Sequence, residues 1–441
     1  RARGWHWPMR WALSQAKLRA PRRTIRGLSG HSHACEVALR SYERDGFFSP
    51  HTLAALTAAM PPTPVSINHL SMAGRRASTE QSLLNARFIH AELIARRAAM
   101  LQQFQQMPEE LANTTGVQEL AKKYHERLGS YLRTPYLRTA EDEQAFARVM
   151  QSALPEQLGE TRKAFGVSLA ALAVAHPGQR LPREQQASLD RHIDRIFLSR
   201  VGIRFLVKHY VASREPEDGF MGIIQKECCP AELCEATALS IAADCRERWG
   251  AAPPIEVHAN DRSQTFMFVP EHLRFVVGEL LRNASRVTLQ KCARQRGEAL
   301  SEARLAVADE AELRAVRVVV SVSGHQVVIK VSDEAGGIAR SQLADVWMYN
   351  STRLRGGAGM GLPLARLYAM YFGGSLQLFP MEGYGTDAYA TFNRLGDANS
   401  EHCLNAPIVA GDEDGFAPSE VRDSAPPPTR PEPGHRAGLG S

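Results

Sequence analysis

The sequence lacks the features that mark membrane proteins and zinc-stabilised folds. No apolar run in its 441 residues is long enough to span a bilayer, so an integral membrane protein is not expected. Its seven cysteines lack paired Cys-x-x-Cys spacing, and no histidine cluster accompanies those between Cys228 and Cys245, which argues against a structural zinc site. We expect reduced, mostly buried thiols instead.

Acidic residues are missing from the first 35 positions, which contain eight lysines or arginines. This composition is typical of an organelle transit peptide, so residues 1–35 are interpreted as a cleaved, disordered leader. A basic arm that binds nucleic acid or anionic lipid is the alternative. The net charge of +6 becomes −2 once the eight positive charges of the leader are removed, so the remaining chain requires no nucleic-acid partner.

A glycine-rich stretch, GGAGMGLP from Gly356 to Pro363, lacks the signatures of the common phosphate-binding loops. No Lys-Ser or Lys-Thr pair follows the glycines, and no acidic ribose partner lies about 20 residues further on. Glycine clusters alone mostly serve turns. Two upstream patterns, ELLRN at 279–283 and DEAGG at 333–337, make this stretch a candidate nucleotide site, and together the three imply ATP.

The first of these patterns lies in a predicted helix. Apolar residues recur at helical spacing, while Glu279, Asn283 and Arg286 share one face because they are four and three residues apart. The Asn283 amide oxygen is the kind of hard ligand that magnesium prefers. Glu279 can accept a proton from an attacking hydroxyl or orient a water. Standing alone, the pattern would also fit a solvated polar stripe on a buried helix.

The second pattern follows two predicted strands, 316–322 and 326–331, which are joined by a short turn. Asp333 lies just beyond the second strand, where a carboxylate can accept a hydrogen bond from the exocyclic amine of adenine. Gly336 and Gly337 permit a close backbone approach that a side chain would block. An ordinary turn after a strand is the alternative for this pattern by itself.

The third pattern leads into a predicted amphipathic helix, 362–372, with Pro363 in its first turn. Free N–H groups of the loop and of the helix start would face phosphate oxygens. Two further strands, 375–379 and 386–392, are predicted to form a closing hairpin. This order of elements is that of an α/β sandwich.

The order Glu-x-x-x-Asn, Asp-x-x-x-Gly, Gly-x-Gly-x-Gly-Leu-Pro and Gly-Thr resembles the GHKL ATP-binding fold of gyrase and the histidine kinases. Within that superfamily the sequence of these segments closely resembles the mitochondrial pyruvate dehydrogenase kinases, and the branched-chain α-ketoacid dehydrogenase kinase is a related family member. The resemblance covers roughly residues 60–397. The matching segments are ELLRNASR at 279–286, YNST at 349–352, RLYAMYFGG at 366–374, MEGYGTDA at 381–388, and upstream SINHL at 66–70, FIHAEL at 88–93 and SRVGIR at 199–204.

The resemblance implies a role for each matching position. Glu279 is the expected catalytic base or water-orienting residue, Asn283 the expected magnesium ligand and Asp333 the expected adenine contact. The other residues expected to bind the nucleotide are Arg282, Arg286, Gly337, Ser351, Thr352, Gly357, Ala358, Gly359, Met360, Gly361, Leu362 and Thr386. The implied cofactors are ATP and magnesium, and the implied activity is phosphorylation of a protein serine.

The resemblance also implies partners and a location. The substrate would be the alpha subunit of the decarboxylase component of the pyruvate dehydrogenase complex, which phosphorylation inactivates. The lipoyl domain of the acetyltransferase core would bind to the helical part of the chain. A homodimer in the mitochondrial matrix is expected.

The resemblance and the helical periodicity together predict an α+β fold: a helical bundle at 36–215 followed by a GHKL α/β sandwich at 216–400. The proline- and glycine-rich residues 401–441 are expected to be disordered. Two helix faces are predicted to be buried in the bundle. One consists of Leu83, Leu84, Phe88 and Ala91, and the other of Leu189, Ile193, Ile196 and Phe197.

Three departures from the family pattern bear on activity. Ala335 stands where relatives usually have glycine, the lid between Thr352 and Gly356 is only three residues long, and Lys163 stands near the position of a bundle histidine that contacts the catalytic glutamate in relatives. Ala335 and the short lid leave a nucleotide-binding pseudokinase scaffold open as an alternative. A branched-chain complex kinase stays open as well, as the sibling within the family. His209 is a candidate phospho-acceptor for a histidine kinase, but a histidine packed against a helix or at the surface is expected there.

Overall fold

The computed structural model describes residues 23–73, 78–154, 157–175, 182–297, 310–349 and 359–394. Helices alone make up the part of the described chain that precedes residue 215. They are α1 (Arg23–Asp45), α2 (Pro50–Ala59), α3 (Ile67–Ala73), α4 (Thr79–Gln105), α5 (Glu109–Ala112), α6 (Thr115–Arg133), α7 (Ala140–Ser152), α8 (Gln157–Ala175) and α9 (Arg183–Arg214).

Strands and helices alternate in the second half, which confirms the predicted α+β fold class. These elements are β1 (Phe220–Met221), β2 (Ile224–Cys228), α10 (Pro230–Trp249), β3 (Ile255–Ala259), β4 (Phe266–Phe268), α11 (Pro270–Gln295), β5 (Val316–Val322), β6 (Gln326–Asp333), α12 (Gly361–Met370), β7 (Ser375–Met381) and β8 (Gly385–Asn393). Short 3-10 turns lie at Glu310–Glu312, Arg340–Gln342 and Ala344–Trp347.

The helix α1 begins at Arg23, inside the segment that was predicted to be disordered. The prediction of an irregular leader is therefore wrong for residues 23–35. Composition alone cannot separate a basic leader from a basic helix, because arginine is a good helix former. Residues 1–22 and 395–441, on which the rest of the leader and tail predictions fall, lie outside the described residues.

The helix α9 buries the face that its periodicity predicts. Leu189 and Phe197 are both buried, as are Ile193 and Ile196 between them. Further along, from Ile196 to Ile203, every residue is buried, because α4, α7, α8 and α12 all pack against this helix. This is the long central helix of the bundle.

The prediction of which face of α4 is buried is wrong. Phe88 is 36% exposed, whereas Ala86, Ile89 and Leu93 are buried. The helix α4 is contacted by α2, α6, α7 and α9, so its second half is buried on all sides and carries no single apolar stripe. Local periodicity therefore indicated the wrong face.

A five-stranded sheet in the order β3-β5-β6-β8-β7 forms the second half, with β3 parallel to β5 and the other pairs antiparallel. Along β5 buried and exposed residues alternate, as expected for a sheet with one covered face. The helices α10, α11 and α12 contact this sheet. The strands β1, β2 and β4 form a second, small antiparallel sheet in the order β1-β2-β4.

Other sequence expectations can be compared with the described residues. No helix among them combines the length and the apolar character needed to cross a membrane. Six cysteines are described, all are free, and three of them are buried. Within the same ranges no cluster of three or more histidine, cysteine or acidic side chains is arranged to hold a metal ion.

Candidate active site

The helix α11 presents the first pattern, with Glu279 at its centre. The Glu279 side chain is only 8% exposed, and its Oε1 accepts a hydrogen bond from Arg282 Nη1 at 2.6 Å. The Arg282 side chain remains 41% exposed, so its guanidinium lies between the carboxylate and solvent. A nearly buried carboxylate with a charged partner is a group that the fold keeps in one orientation.

Asn283 lies one turn beyond Glu279 on the same helix. Its Nδ2 atom is buried and has no hydrogen-bond partner among the described residues. A buried amide without a protein partner is uncommon, and such a group fits a residue whose partner is a ligand. Rotation of the amide by half a turn exchanges its oxygen and nitrogen, so the donor set fits the predicted magnesium ligand.

The second pattern forms a tight turn at the end of β6. Asp333 Oδ1 accepts a hydrogen bond from the backbone N–H of Ala335 at 2.9 Å, and Asp333 pairs with Thr386 of β8 in the sheet register. Burial raises the pKa of Asp333, while the N–H groups of Ala335 and Thr386 oppose that rise because they stabilise the charged form. The predicted adenine contacts Asp333 and Thr386 are therefore neighbours across two strands.

Glycine is required at two positions around this turn. A Cβ on Gly337, whose φ is +72°, would overlap the backbone of Met381. A Cβ on Gly385 would overlap the Asp333 carbonyl oxygen. The backbone of the second pattern thus packs directly on the hairpin of β7 and β8, and a side chain at either glycine would push the two apart.

Lys291 connects the first two patterns. It lies three turns beyond Glu279 on α11, and its Nζ donates to the Glu334 carbonyl oxygen at 2.7 Å. Glu334 follows Asp333 directly, so this bond fixes the turn against the helix. Sequence reasoning missed this contact, since nothing local links a lysine at a helix end to a distant turn.

The third pattern meets Glu279 from the other side. Gly359 has φ +65°, Met360 is fully buried, and α12 begins at Gly361. A Cβ on Gly361 would collide with Glu279 Oε2, so the loop approaches the carboxylate closely at a residue without a side chain. Pro363 lies in the first turn of α12, as predicted.

The remaining predicted nucleotide contacts are partly described. Arg286 is half-buried on α11, and Leu362 is half-buried in the first turn of α12. Ser351, Thr352, Gly357 and Ala358 lie outside the described residues, and so does the short lid at 353–355.

The last described residue before that segment is Tyr349, and α9 of the bundle holds it. Its hydroxyl donates to Asp194 Oδ1 at 2.6 Å, its backbone N–H donates to Asp190 Oδ1 at 3.3 Å, and its ring stacks on Phe197 with centroids 5.8 Å apart. Burial raises the pKa of Asp190 to about 7 and that of Asp194 to about 6. The only sequence signal was two aspartates one turn apart beside the buried face of α9.

Lys163 and His209 of the bundle, which the sequence analysis considered for roles at the site, can both be located in the structure. Arg162, and not Lys163, is the basic residue of α8 that approaches Glu279, with Nη1 at 4.0 Å from Oε1, while Lys163 is exposed. His209 is buried, its Nε2 lies 3.0 Å from the Leu70 carbonyl oxygen, and burial lowers its pKa to about 4. The packed histidine expected at this position is confirmed.

Comparisons with known proteins agree with this geometry. Residues 64–225 match the family described as mitochondrial branched-chain alpha-ketoacid dehydrogenase kinase, and residues 268–395 match the family of histidine kinase-, DNA gyrase B- and HSP90-like ATPases. The second match contains the Glu279, Asp333 and Gly361 patterns and ends beyond β8.

Three relatives are named as mitochondrial kinases of pyruvate dehydrogenase (acetyl-transferring). The chain is 30% identical to the one from Arabidopsis thaliana over 359 residues, which cover 77% of this chain and 92% of the relative. It is 35% identical to the one from Schizosaccharomyces pombe over 231 residues, 47% of this chain and 51% of the relative. Isozyme 4 from Homo sapiens is 23% identical over 361 residues, 77% and 83% respectively.

Proposed function

This chain belongs to the family of mitochondrial pyruvate dehydrogenase kinases, and we propose that it phosphorylates a serine of the pyruvate dehydrogenase complex with magnesium ATP and thereby inactivates the complex. The observation that carries the proposal is the meeting of three separate patterns around α11. Glu279 contacts Gly361 of the glycine-rich stretch, and Lys291 holds the turn that follows Asp333. Close by on α11, the buried Asn283 Nδ2 atom has no hydrogen-bond partner among the described residues. Packing of the three patterns does not explain this amide, whereas a bound ligand would.

ATP would bind between α11, the Asp333 turn and the start of α12. The Asp333 carboxylate, oriented by the Ala335 N–H, would accept a hydrogen bond from the adenine amine. The N–H groups at the start of α12 have no intrahelical partners, which suits phosphate oxygens. Asn283 would hold magnesium, which supplies charge neutralisation at the phosphates.

Glu279 is the candidate base for the acceptor serine. Its Oε1 is paired with Arg282 and its Oε2 lies against Gly361, so the carboxylate has a fixed direction toward the phosphate loop. A fixed carboxylate can accept the serine proton as the bond to phosphorus forms, or can orient the hydroxyl. Because phosphoryl transfer needs little covalent assistance, positioning of this kind is the main contribution expected from the protein.

The proposed partners are those of the family. The acceptor serine would lie in the alpha subunit of the decarboxylase component, the lipoyl domain of the acetyltransferase core would bind to the bundle, and the location would be the mitochondrial matrix. The names of the relatives support the complex and the mitochondrion, since they are called mitochondrial kinases of pyruvate dehydrogenase.

A homodimer through the exposed face of the sheet is part of the proposal. On that face Val319, Phe379 and Met381 are 40%, 46% and 50% exposed, around a pair formed by Lys330 and Asp387 at 2.8 Å. Apolar side chains around a satisfied ion pair are the composition of a surface that is covered in an assembly. Sedimentation of the purified protein at micromolar concentration should show a dimer, and a monomer there would remove this part of the proposal.

A kinase of the branched-chain α-ketoacid dehydrogenase complex is the second candidate. It is favoured by the match of residues 64–225 to the family that carries that name. The relatives from plants, yeast and human are all named for pyruvate dehydrogenase, which favours the first candidate.

The proposal is tested by incubating the purified protein with labelled magnesium ATP and either purified complex, and then mapping the phosphate. Phosphoserine on the pyruvate dehydrogenase alpha subunit is the expected result. Label on the branched-chain complex alone would select the second candidate. ATP binding without transfer to either complex would indicate a pseudokinase scaffold and would refute the proposed activity.

Two variants test the roles within the site. Glu279→Gln should bind ATP and lose transfer, since it removes the proton acceptor and keeps the shape. Asn283→Ala should lose magnesium-dependent ATP binding, measured by calorimetry. Arg294→Gln, at an exposed position in the last turn of α11, is the control and should keep transfer. Normal turnover in Glu279→Gln would contradict the assignment of the base.

A further inference from the structure

The helical bundle contributes a charged side chain to the active site. Arg162 extends from α8 so that its Nη1 lies 4.0 Å from Glu279 Oε1, the oxygen that also pairs with Arg282. The Arg162 side chain is 40% exposed, whereas the Glu279 side chain is 8% exposed. A carboxylate on the ATP-binding half is therefore flanked by two guanidinium groups, one from its own helix and one from the bundle.

The segment that carries Arg162 is fixed on the bundle by both of its preceding residues. The Thr161 hydroxyl and the Tyr124 hydroxyl of α6 are hydrogen-bonded at 2.6 Å, and both residues are fully buried. Glu160 forms ion pairs with Lys123 at 3.2 Å and with Arg127 at 3.5 Å. Arg162 thus moves with α6 and α8, because its backbone is attached to the bundle and not to the ATP-binding half.

The same helix contacts the glycine-rich stretch one turn further on. A Cβ on Gly166 would lie 3.6 Å from Cε of Met360, the residue that precedes α12. The helix α8 therefore approaches two of the three patterns, Glu279 through Arg162 and the phosphate loop through Gly166. Lys163, which lies between these two positions in the sequence, is exposed, so only one of the two adjacent basic residues faces the site.

The two arginines and Gly361 approach both oxygens of the carboxylate. Oε1 is 2.6 Å from Arg282 Nη1 and 4.0 Å from Arg162 Nη1, and Oε2 lies against Gly361. Arg282 is a partner three residues away on the same helix and is itself 41% exposed, and a single pair of this kind is weak. A second guanidinium from a separate helix limits the rotation that a single partner leaves open.

We propose that Arg162 is a positioning residue for phosphoryl transfer, supplied by the bundle to orient the Glu279 carboxylate of the ATP-binding half. The inference rests on the proposed function, because orientation of Glu279 matters only if that carboxylate acts on the acceptor hydroxyl. It follows that loss of the Arg162 side chain alone changes the transfer rate without changing how ATP itself is held. Loss of such an interaction should reduce kcat by about fivefold, the effect of a partly exposed ion pair.

The test compares Arg162→Gln, Arg162→Lys and the matched control Lys163→Gln in the full chain with the purified complex. Arg162→Gln should lower kcat about fivefold, leave the ATP KM unchanged, and be largely rescued in Arg162→Lys, which keeps the charge. Lys163→Gln should match the wild type. In a Glu279→Gln background the Arg162→Gln change should have no further effect on residual transfer, because the group that it positions is gone.

Several outcomes would overturn the inference. They are a kcat of Arg162→Gln equal to that of Lys163→Gln, an effect confined to the ATP KM, or an additive effect in the Glu279→Gln background. A second measurement does not depend on turnover: the unfolding free energies of the single and double variants should show coupling between Arg162 and Glu279 and none between Lys163 and Glu279. Zero coupling in an active protein would refute only the role of Arg162, whereas a wild type without transfer would refute the proposed function.

Discussion

Replacing Asp190 by asparagine is expected to stabilise the protein at pH 8 and to have almost no effect near pH 4. Asp190 lies on α9 and accepts the backbone N–H of Tyr349, the last described residue before the predicted lid. It also accepts a bond from Gln186 at 2.9 Å, and Asp194 lies one turn away. An asparagine at this position keeps an oxygen for these donors and carries no charge.

The sign of the effect follows from the raised pKa. Burial raises the pKa of Asp190 from 3.8 to about 7, the bonds from Gln186 and Tyr349 oppose the rise, and the charge of Asp194 adds to it. Because the folded protein holds this proton more tightly than the unfolded chain, its stabilising contribution is complete below pH 4. That contribution is lost as the pH rises toward 7, where the folded protein must carry the buried charge.

The magnitude follows from the size of the pKa rise. A rise of about three units corresponds to roughly 4 kcal/mol at most, since each unit is about 1.4 kcal/mol. Local relaxation and water reduce the cost of a buried charge, so we expect about 2 kcal/mol above pH 7. The advantage of the Asp190→Asn variant should therefore grow between pH 4 and pH 7 and stay constant above pH 7.

Urea unfolding of the two proteins at several pH values measures this difference directly. Glu184→Gln, an exposed residue in the first turn of the same helix, is the control and should give a difference that does not follow this curve. A stability difference between Asp190→Asn and wild type that is the same at pH 4.5 and pH 8 would refute the reasoning. So would a matching pH dependence in the control.

Two further predictions concern the turn that follows Asp333. Gly385→Ala should destabilise the protein by about 1–3 kcal/mol in thermal unfolding and weaken ATP binding, because its Cβ would overlap the Asp333 carbonyl oxygen. The control Gly324→Ala, in an open turn, should be nearly neutral in the same measurement. Lys291→Met should raise the ATP dissociation constant by about threefold to tenfold in calorimetry, since it removes the bond to the Glu334 carbonyl, and an unchanged constant would show that this bond does not position the turn.

The placements of candidate residues on secondary structure that the sequence predicted correctly are local. Glu279 and Asn283 were assigned to one helix face because four residues make about one turn, and the structure places both on α11. Asp333 was placed at a strand end because alternation and a glycine turn mark that boundary. In each case the signal and the structure lie within a few residues of each other.

The parts that the sequence missed depend on contacts between distant segments. Two contacts join the bundle to the ATP-binding half: the ion pair between Arg162 and Glu279, and the hydrogen bond that the Tyr349 hydroxyl donates to Asp194. No periodicity in the sequence predicts either contact. The error at Phe88 has the same origin, since neighbouring helices decide which side of α4 is buried. Packing between distant helices and strands therefore determines these contacts and buried faces, which the local sequence pattern does not specify.

The parallel pairing of β3 with β5 constrains how the enzyme can work. The helix that bears Glu279 and Asn283 lies in the connection between these two strands, and it packs on the sheet against β5, β6 and β8. Movement of this helix would therefore break its packing on three strands of the sheet. In the proposed reaction the acceptor serine and the nucleotide are therefore brought to a helix that stays in place on the sheet.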